Sequence, residues 1–348
     1  MQIHYKRRCF ICQSRDHFLC CFKKFSCFTE KDLSTCFANQ RDSPLQQSED
    51  DPEGGITLRD YHMHLEKGEY KQEYLKEFVA AGGKRGVTEL GISEHTHHFK
   101  EFQEIYFRNV IMDDSAIGRY QESWLKQSPK SFCYTLDQYV SLIEAGKKAG
   151  LPLKLGLEVC YFPGEEQNLR RILKQYPFDY CIGSVHWLHG WGFDTKAELW
   201  QGKEVNEVYS SYKEVLLQAI QSDLFDVIGH PFSCKVFRHW PQGIEMNPWY
   251  VEIAAALLKH NTAMEINTGL LYRYPAATIC PPLGLLQAAA DADCQISFGS
   301  DAHTSSDAGR ALGYALQVAK EARITQQMNF EHRKGSRVLL EPLPVSTL

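Results

Sequence analysis

The chain has 348 residues, of which 43% are hydrophobic and 23% charged, and this composition is typical of a globular protein with a sizeable core. Its formal net charge of −5 gives no general basic field, which argues against a protein that coats nucleic acid. No apolar run reaches the roughly 18 residues of a membrane span, and we expect neither a transmembrane helix nor a signal peptide.

The first segment, residues 1–55, differs in composition from the rest of the chain. It holds six of the twelve cysteines and closes with the linker-like run NQRDSPLQQSEDDPEGG. Cys9 and Cys12 form a CxxC pair that is compatible with half of a zinc knuckle, but no second CxxC pair completes it. We therefore predict that this segment is a disordered, Cys-rich extension, and its role stays open.

The other cysteines are scattered, and Cys160, Cys181 and Cys294 lie inside apolar, strand-like runs. A buried free thiol in such a run behaves as a small hydrophobic side chain. This usage is typical of a reducing compartment, so we predict a cytoplasmic protein.

Residues 56–340 alternate β-rich runs with stretches of helical periodicity, and we predict that they form one catalytic domain. The alternation is typical of a parallel sheet, either a closed barrel or an open doubly wound sheet. No glycine-rich phosphate loop follows any strand, which disfavours a nucleotide-binding sheet. Residues 99–133 are predicted to be a long loop of the kind that forms lids or substrate-binding insertions. The predicted strands cover residues 56–64, 86–95, 151–159, 178–186, 224–230, 261–268 and 294–303.

Every predicted strand ends in a side chain that can bind a metal ion or a proton. His62 and His64, at the end of the first strand, stand two residues apart and therefore share one face of an extended chain. In a parallel barrel the carboxyl ends of the strands meet at one mouth, where the active site lies. An imidazole or carboxylate is costly to bury there unless it is paired or coordinated. The remaining strand-end groups are Glu94, His95, Glu158, His186, His230, Glu265, Asn267, Asp301 and His303.

The residue types at these strand ends indicate a catalytic rather than a structural metal site. Histidines and carboxylates are present and cysteines are absent, and such mixed ligands suit Zn, Mn or Fe with positions left open for water and substrate. There are too many ligands for a single tetrahedral ion, so we predict two or three divalent ions. Such a cluster activates water and binds an anionic substrate, which favours phosphoester hydrolysis.

The ordered motifs of the chain resemble those of the polymerase and histidinol phosphatase (PHP) family. They are HxH at His62 and His64, followed by SEH, GLE, GSVH, GHP and SDAH, and the resemblance runs from about Thr57 to Ala322. The phrases IGSVHWLHGWGFD and MEINTGLLYRYP are most similar to the histidinol-phosphatase branch. The resemblance implies an α/β fold, a distorted (β/α)7 barrel with the metal site at the carboxyl ends of the strands.

The family pattern also implies which residues hold the first two ions, with Glu158 bridging them. Their implied ligands are His62, His64, Glu158 and Asp301 for the first ion and Glu158, His186 and His230 for the second.

A third ion would be held by His95 and His303 and by a ligand that follows the HxH pair. In the family a histidine often stands six residues after that pair, but this chain has Tyr70 there. Glu66 and Glu69 are the nearby alternatives, and we select Glu66.

The resemblance implies attack on phosphorus by a metal-bridging hydroxide. Asp301 and His303 are the predicted catalytic residues that manage protons. A guanidinium group binds phosphate through paired hydrogen bonds, so Arg273 is the first candidate for substrate binding and Lys235 the second.

Our leading hypothesis is a metal-dependent phosphomonoesterase of histidine biosynthesis that acts on L-histidinol phosphate, a small phosphorylated metabolite. One alternative keeps the metals but acts on nucleotides as a phosphodiesterase or nuclease, which the acidic composition disfavours. Another is a non-catalytic PHP-like interaction module. This alternative predicts that ligands are missing, but only one position departs from the family pattern. The exact substrate, the native metals and the oligomeric state stay open.

Overall fold

The computed structural model describes residues 58–340, which fall within a compact unit that extends over Asp50–Leu348. The predicted extension at residues 1–55 lies outside the described residues, so its interpretation stays a prediction.

The strands of the described region are short, and most of them are parallel to their neighbours. In chain order they are β1 (Leu58–Asp60), β2 (Val87–Ile92), β3 (Leu153–Leu155), β4 (Glu158–Cys160), β5 (Ile182–Ser184), β6 (Trp187–Leu188), β7 (Trp191–Gly192), β8 (Val227–Ile228), β9 (Ala263–Asn267), β10 (Ile296–Gly299), β11 (Gln326–Glu331) and β12 (Lys334–Leu339). One parallel sheet has the order β1-β2-β3 and the other the order β10-β9-β8-β5-β4, while β6-β7 and β11-β12 are antiparallel hairpins.

The two parallel sheets close on each other to form a distorted barrel. At one seam, Tyr61 N donates to Phe298 O at 3.0 Å, which joins β1 to β10. At the other seam, Gly156 N donates to Ile92 O at 2.8 Å, so β3 and β4 act as two segments of one interrupted strand beside β2. Counted in this way, the described region has seven strand positions around the barrel. The predicted fold class is confirmed.

Helices connect the strands and pack one face against the barrel. The first of them, for example, buries Leu75 and Phe78, which are spaced as one face of a helix requires. The helices are α1 (Gln72–Gly83), α2 (Gln103–Asn109), α3 (Ala116–Gln127), α4 (Leu136–Lys148), α5 (Glu166–Leu173), α6 (Val205–Gln221), α7 (Asn247–Lys259), α8 (Gly269–Arg273), α9 (Leu283–Asp291) and α10 (Leu312–Glu321).

The prediction of a long loop over residues 99–133 was wrong, because this insertion contains α2 and α3. Ser115 caps α3 by accepting a hydrogen bond from Gly118 N at 2.9 Å. Tyr106 of α2 and Leu125 of α3 are buried, so the insertion has an apolar face that packs on the domain.

A C-terminal hairpin that the sequence analysis did not predict closes the amino ends of the strands. Met328 and Phe330 of β11 pack in a buried cluster with Tyr180 and with the first residues of β5, β8 and β9. The barrel is therefore plugged at this end, and its polar strand ends point to the opposite one.

Cys160, Cys181 and Cys294 are buried free thiols, as expected inside apolar runs, although Cys160 also contacts a histidine at the carboxyl ends of the strands. Across residues 58–340, none of the helices combines the length and apolar character that crossing a membrane requires.

Candidate metal centre

The carboxyl ends of the barrel strands gather imidazoles and carboxylates around Glu158. This residue opens β4 and is fully buried. Its Oε1 lies 2.9 Å from His230 Nε2 and 3.4 Å from Nε2 of both His62 and His186. Its Oε2 lies 3.8 Å from His64 Nε2. One carboxylate thus faces two groups of histidines, as a bridging ligand must.

On one side of Glu158 lie His62, His64 and Asp301, which we call the His62 side. Asp301 Oδ1 lies 3.3 Å from His64 Nε2 and 3.9 Å from His62 Nε2. A carboxylate stands behind each ring: His62 Nδ1 lies 2.7 Å from Glu265 Oε1, whereas His64 Nδ1 lies 3.5 Å from Glu94 Oε1, without a hydrogen bond of ordinary geometry. Such outer carboxylates orient a ligating imidazole and raise its basicity.

On the other side lie His186 and His230, which we call the His186 side. Their Nε2 atoms are 3.3 Å apart and both face Glu158. The outer nitrogen of His186, Nδ1, lies 3.1 Å from the sulfur of Cys160. The outer nitrogen of His230 has no hydrogen-bond partner among residues 58–340, although its backbone N–H donates to Glu265 Oε2 at 2.7 Å. This side therefore has no carboxylate behind its imidazoles.

His95 and His303 form a third group with His64. The rings of His64 and His95 stack with centroids 3.8 Å apart. His303 Nδ1 lies 2.8 Å from Glu66 Oε1, so Glu66 reaches the centre. Glu69, the alternative third ligand, has a side chain that is 73% exposed and pairs with a neighbouring lysine.

The donor atoms fit divalent metal ions. His62 Nε2, His64 Nε2 and Glu158 Oε2 are buried without a hydrogen bond of ordinary geometry among the described residues. Buried polar atoms in folded proteins are rarely left in this state. These residues belong to groups whose nitrogen and oxygen atoms all lie within 4.8 Å of one another, close enough to hold an ion.

Charge and burial act differently on individual histidines, and the difference does not follow the two sides, because at His230 burial opposes protonation but Glu158 raises the pKa. Burial opposes protonation of His62 and His64, but neighbouring carboxylates raise the pKa of His62 well above its usual value and that of His64 to about 9. At His186 and His95 burial dominates and lowers the pKa to about 3 and about 4, respectively. The latter two rings are therefore neutral at pH 7, the form that binds metals.

The backbone is unusual at three positions of the centre. His230 and Asp301, each at a strand end, have φ values of 26° and 56°, in the left-handed region where strain often marks a functional site. At Gly299 a Cβ atom would lie 2.0 Å from Glu265 Oε1, so only glycine lets the carboxylate reach His62.

A cavity of about 350 Å³ opens onto the centre. Arg273 lines this cavity, and its Nη2 lies 2.5 Å from Asp301 Oδ2. Lys235 is not among the lining residues: it is 2% exposed, and its ammonium donates to the Ile279 carbonyl. The structure thus brings the first predicted phosphate-binding residue to the centre and does not bring the second.

Sequence reasoning missed several residues that line the site, among them Asp194 and Cys160. Asp194 lines the cavity with its Oδ2 3.9 Å from His186 Nε2, and burial raises its pKa to about 7. It closes the phrase IGSVHWLHGWGFD, which carried the only signal for it. Cys160 was interpreted as a hydrophobic residue, although its place two residues after Glu158 predicts a shared strand face.

Comparison with known proteins gives a consistent family signal. The model of the PHP domain family matches residues 60–269. A protein named "probable histidinol-phosphatase" from Deinococcus radiodurans is 32% identical over 205 residues, which cover 57% of this chain and 76% of the relative. The histidinol-phosphatase of Lactococcus lactis is 22% identical over 220 residues, 61% of this chain and 71% of the relative.

A solved structure shares the fold. Histidinol phosphate phosphatase from Lactococcus lactis, in complex with zinc, L-histidinol and phosphate, superimposes with a TM-score of 0.59 at 20% identity. The match covers 80% of this chain and 99% of that one.

Proposed function

This chain belongs to the PHP domain family, and we propose that it is a metal-dependent phosphomonoesterase that hydrolyses L-histidinol phosphate to L-histidinol and phosphate in histidine biosynthesis. The observation that carries the proposal is the convergence of two groups of histidines on the buried carboxylate of Glu158, with the guanidinium of Arg273 beside them. The names of the relatives supply the substrate. A cytoplasmic location is part of the proposal.

We propose that the centre binds two or three divalent ions, of zinc, manganese or iron. When bound, such ions lower the pKa of a water molecule and neutralise the phosphoryl oxygens. The proposed ligands are His62, His64, Glu158 and Asp301 for the first ion, Glu158, His186 and His230 for the second, and His95, His303 and Glu66 for the third.

The side chains around the ions would orient the phosphoryl group and handle its protons. Arg273 is held by Asp301 and lines the cavity, so its remaining N–H groups can bind phosphoryl oxygens. His303 Nε2 lies 3.2 Å from Asp301 Oδ1 and Nδ1 is held by Glu66, which supports the proposed proton-handling role of Asp301 and His303. Lys235 is not retained as a phosphate ligand.

The cavity suits a planar, cationic leaving group. Tyr120 and Trp124 of the α3 insertion and Trp187 line it, together with Asp194. Aromatic faces and a carboxylate attract an ammonium or imidazolium group. L-histidinol carries both an amine and an imidazole, which agrees with this lining.

Phosphate release from a panel of metabolite monoesters tests the proposal. With zinc or manganese supplied, the wild-type chain is expected to turn over L-histidinol phosphate faster than the other monoesters. His186→Ala should lower this activity by at least ~100-fold, on the scale of losing direct metal support. His260→Ala is the control: this histidine pairs with Asp223 and with none of the proposed ligands, so the variant should retain activity. Equal turnover of all monoesters would contradict the substrate, and near-normal activity of His186→Ala would remove His186 from the site.

A further inference from the structure

The histidines of the His186 side lack the carboxylates that stand behind the His62 side. We propose that Cys160 is a positioning residue that holds His186 in its metal-binding orientation, and that the ion bound through His186 and His230 is the more weakly held one. This inference rests on the proposed function only in requiring that the centre binds metal ions.

The register of two neighbouring strands places the sulfur behind the imidazole. Cys160 in β4 is paired with Ser184 in β5, and His186 follows Ser184 by two residues. Glu158 and Cys160 are likewise two residues apart, so they share one strand face. One face of β4 therefore supplies both the carboxylate in front of His186 and the thiol behind it.

Metal binding at Nε2 would determine the tautomer of the ring. His186 Nε2 faces Glu158 Oε1 at 3.4 Å, and this nitrogen can bind a metal only when Nδ1 carries the proton. In that tautomer the Nδ1–H group can donate to the sulfur of Cys160, 3.1 Å away. Cys160 is 4% exposed, which leaves little room for water to replace this contact.

A thiol supports a ligating imidazole less well than a carboxylate does. Neutral sulfur is a weak acceptor, whereas the bond from His62 Nδ1 to Glu265 Oε1 at 2.7 Å ends on a charged oxygen. Outer partners of this kind raise the basicity of the ring and with it the affinity for the ion. The difference predicts a tight ion on the His62 side and a more exchangeable one on the His186 side.

The contact also indicates that Cys160 is not itself a ligand. Its sulfur lies against Nδ1, whereas the nitrogen that faces the other ligands is Nε2. Within residues 58–340, the groups able to hold an ion contain no cysteine. The sulfur therefore acts through His186.

Zinc titration of the metal-free full-length chain against a chromophoric chelator tests the proposal. Wild type is expected to show a tight and a weaker class of site. Cys160→Ala should weaken the weaker class by about 10- to 100-fold and leave the tight class unchanged. In Cys160→Ser the zinc affinity of the weaker class should lie between those of wild type and Cys160→Ala, because a hydroxyl can still accept a hydrogen bond from Nδ1–H. Cys294→Ala is the control. It removes a buried thiol that donates a hydrogen bond to the Ala254 carbonyl, and its zinc titration should match that of wild type.

The activity readout should follow the titration. Phosphate release by Cys160→Ala should fall at limiting zinc and recover when zinc is added, because the ligands themselves are intact. If Cys160→Ala fails to fold, Cys160→Ser carries the same comparison.

Three results would overturn the inference. They are a Cys160→Ala titration that superimposes on that of wild type, an equal weakening of both classes, and a thiolate-to-metal charge-transfer band in the cobalt-substituted wild type. A wild-type chain that binds zinc as expected but releases no phosphate from L-histidinol phosphate would contradict the proposed function and leave the role of Cys160 standing.

Discussion

The two sides of the centre share Glu158 and differ in what supports their histidines. On the His62 side both rings are fully buried, and carboxylates of Glu265 and Glu94 stand behind them. On the His186 side the side chain of His186 is 12% exposed and rests on a thiol. We therefore expect the same residue type at the same kind of strand end to bind a metal ion with different strength.

The difference has its origin in the side chains that other strands place behind each ligand. Glu265 lies in β9, and its carboxylate reaches His62 past Gly299, whose missing side chain leaves the space. Cys160 lies in β4, next to the strand β5 that leads to His186, and it presents sulfur to this histidine in place of oxygen. On this proposal the strand end selects the ligand, and a residue of another strand sets its strength.

The largest effect is expected where the two sides meet. Glu158→Gln removes the charge that both sides share, and we expect phosphate release to fall by more than ~100-fold and both classes of zinc site to weaken. Glu144→Gln, in the partly exposed outer part of α4, is the matched control and should behave like wild type. If Glu158→Gln weakened one class of site and spared the other, Glu158 would belong to one side and would not bridge.

A second variant tests whether carboxylate support explains the strength of the His62 side. Glu265→Gln keeps the shape of the side chain but removes the charged acceptor of His62 Nδ1. We expect the affinity of the tight class to fall by about 10- to 100-fold, so that the two classes approach each other. Chelator competition of the zinc-loaded chain measures this. An unchanged tight class would show that the asymmetry has another cause.

A third pair of variants tests the ligand that follows the HxH motif. Glu66→Gln loses the contact with His303 Nδ1, whereas Glu69→Gln alters a side chain that is 73% exposed. We expect about a tenfold loss of activity for the first, at the lower end of the range for altered metal support, and no measurable loss for the second. Phosphate release at limiting and at saturating metal separates the two. The reverse result would assign the third site to Glu69.

The sequence predicted which imidazoles and carboxylates gather at the centre, but it did not predict what supports His186. Histidines and carboxylates after apolar runs mark strand ends, and the parallel fold brings these ends together whatever the details of packing. The support of His186 by Cys160 depends on the register between β4 and β5, which no local pattern encodes. Lys235 shows the same limit, because its position after a strand indicated a phosphate ligand while its burial directs the ammonium to a backbone carbonyl.

The insertion and the hairpin were missed for a different reason. The helices α2 and α3 fall in a segment whose polar residues and irregular spacing resemble a loop, and their apolar faces become evident only when packed. The hairpin β11-β12 buries Met328 and Phe330 against the amino ends of other strands, which are distant in sequence. Long-range burial stabilises both elements more than local propensity does.

The smallest predicted effect separates His64 from His186 by pH in the metal-free chain. The pKa of His64 is raised from 6.5 to about 9 in the folded state, so its contribution to stability is complete below pH 6.5 and is lost as the pH rises through 9. The pKa of His186 is lowered from 6.5 to about 3, so its contribution is complete above pH 6.5 and is lost as the pH falls below that value. Denaturant unfolding with chelator present should therefore give a maximum in the free energy of unfolding near neutral pH. His64→Gln should flatten the alkaline limb and His186→Gln the acid limb, whereas identical changes in both variants would show that the two histidines titrate as one unit.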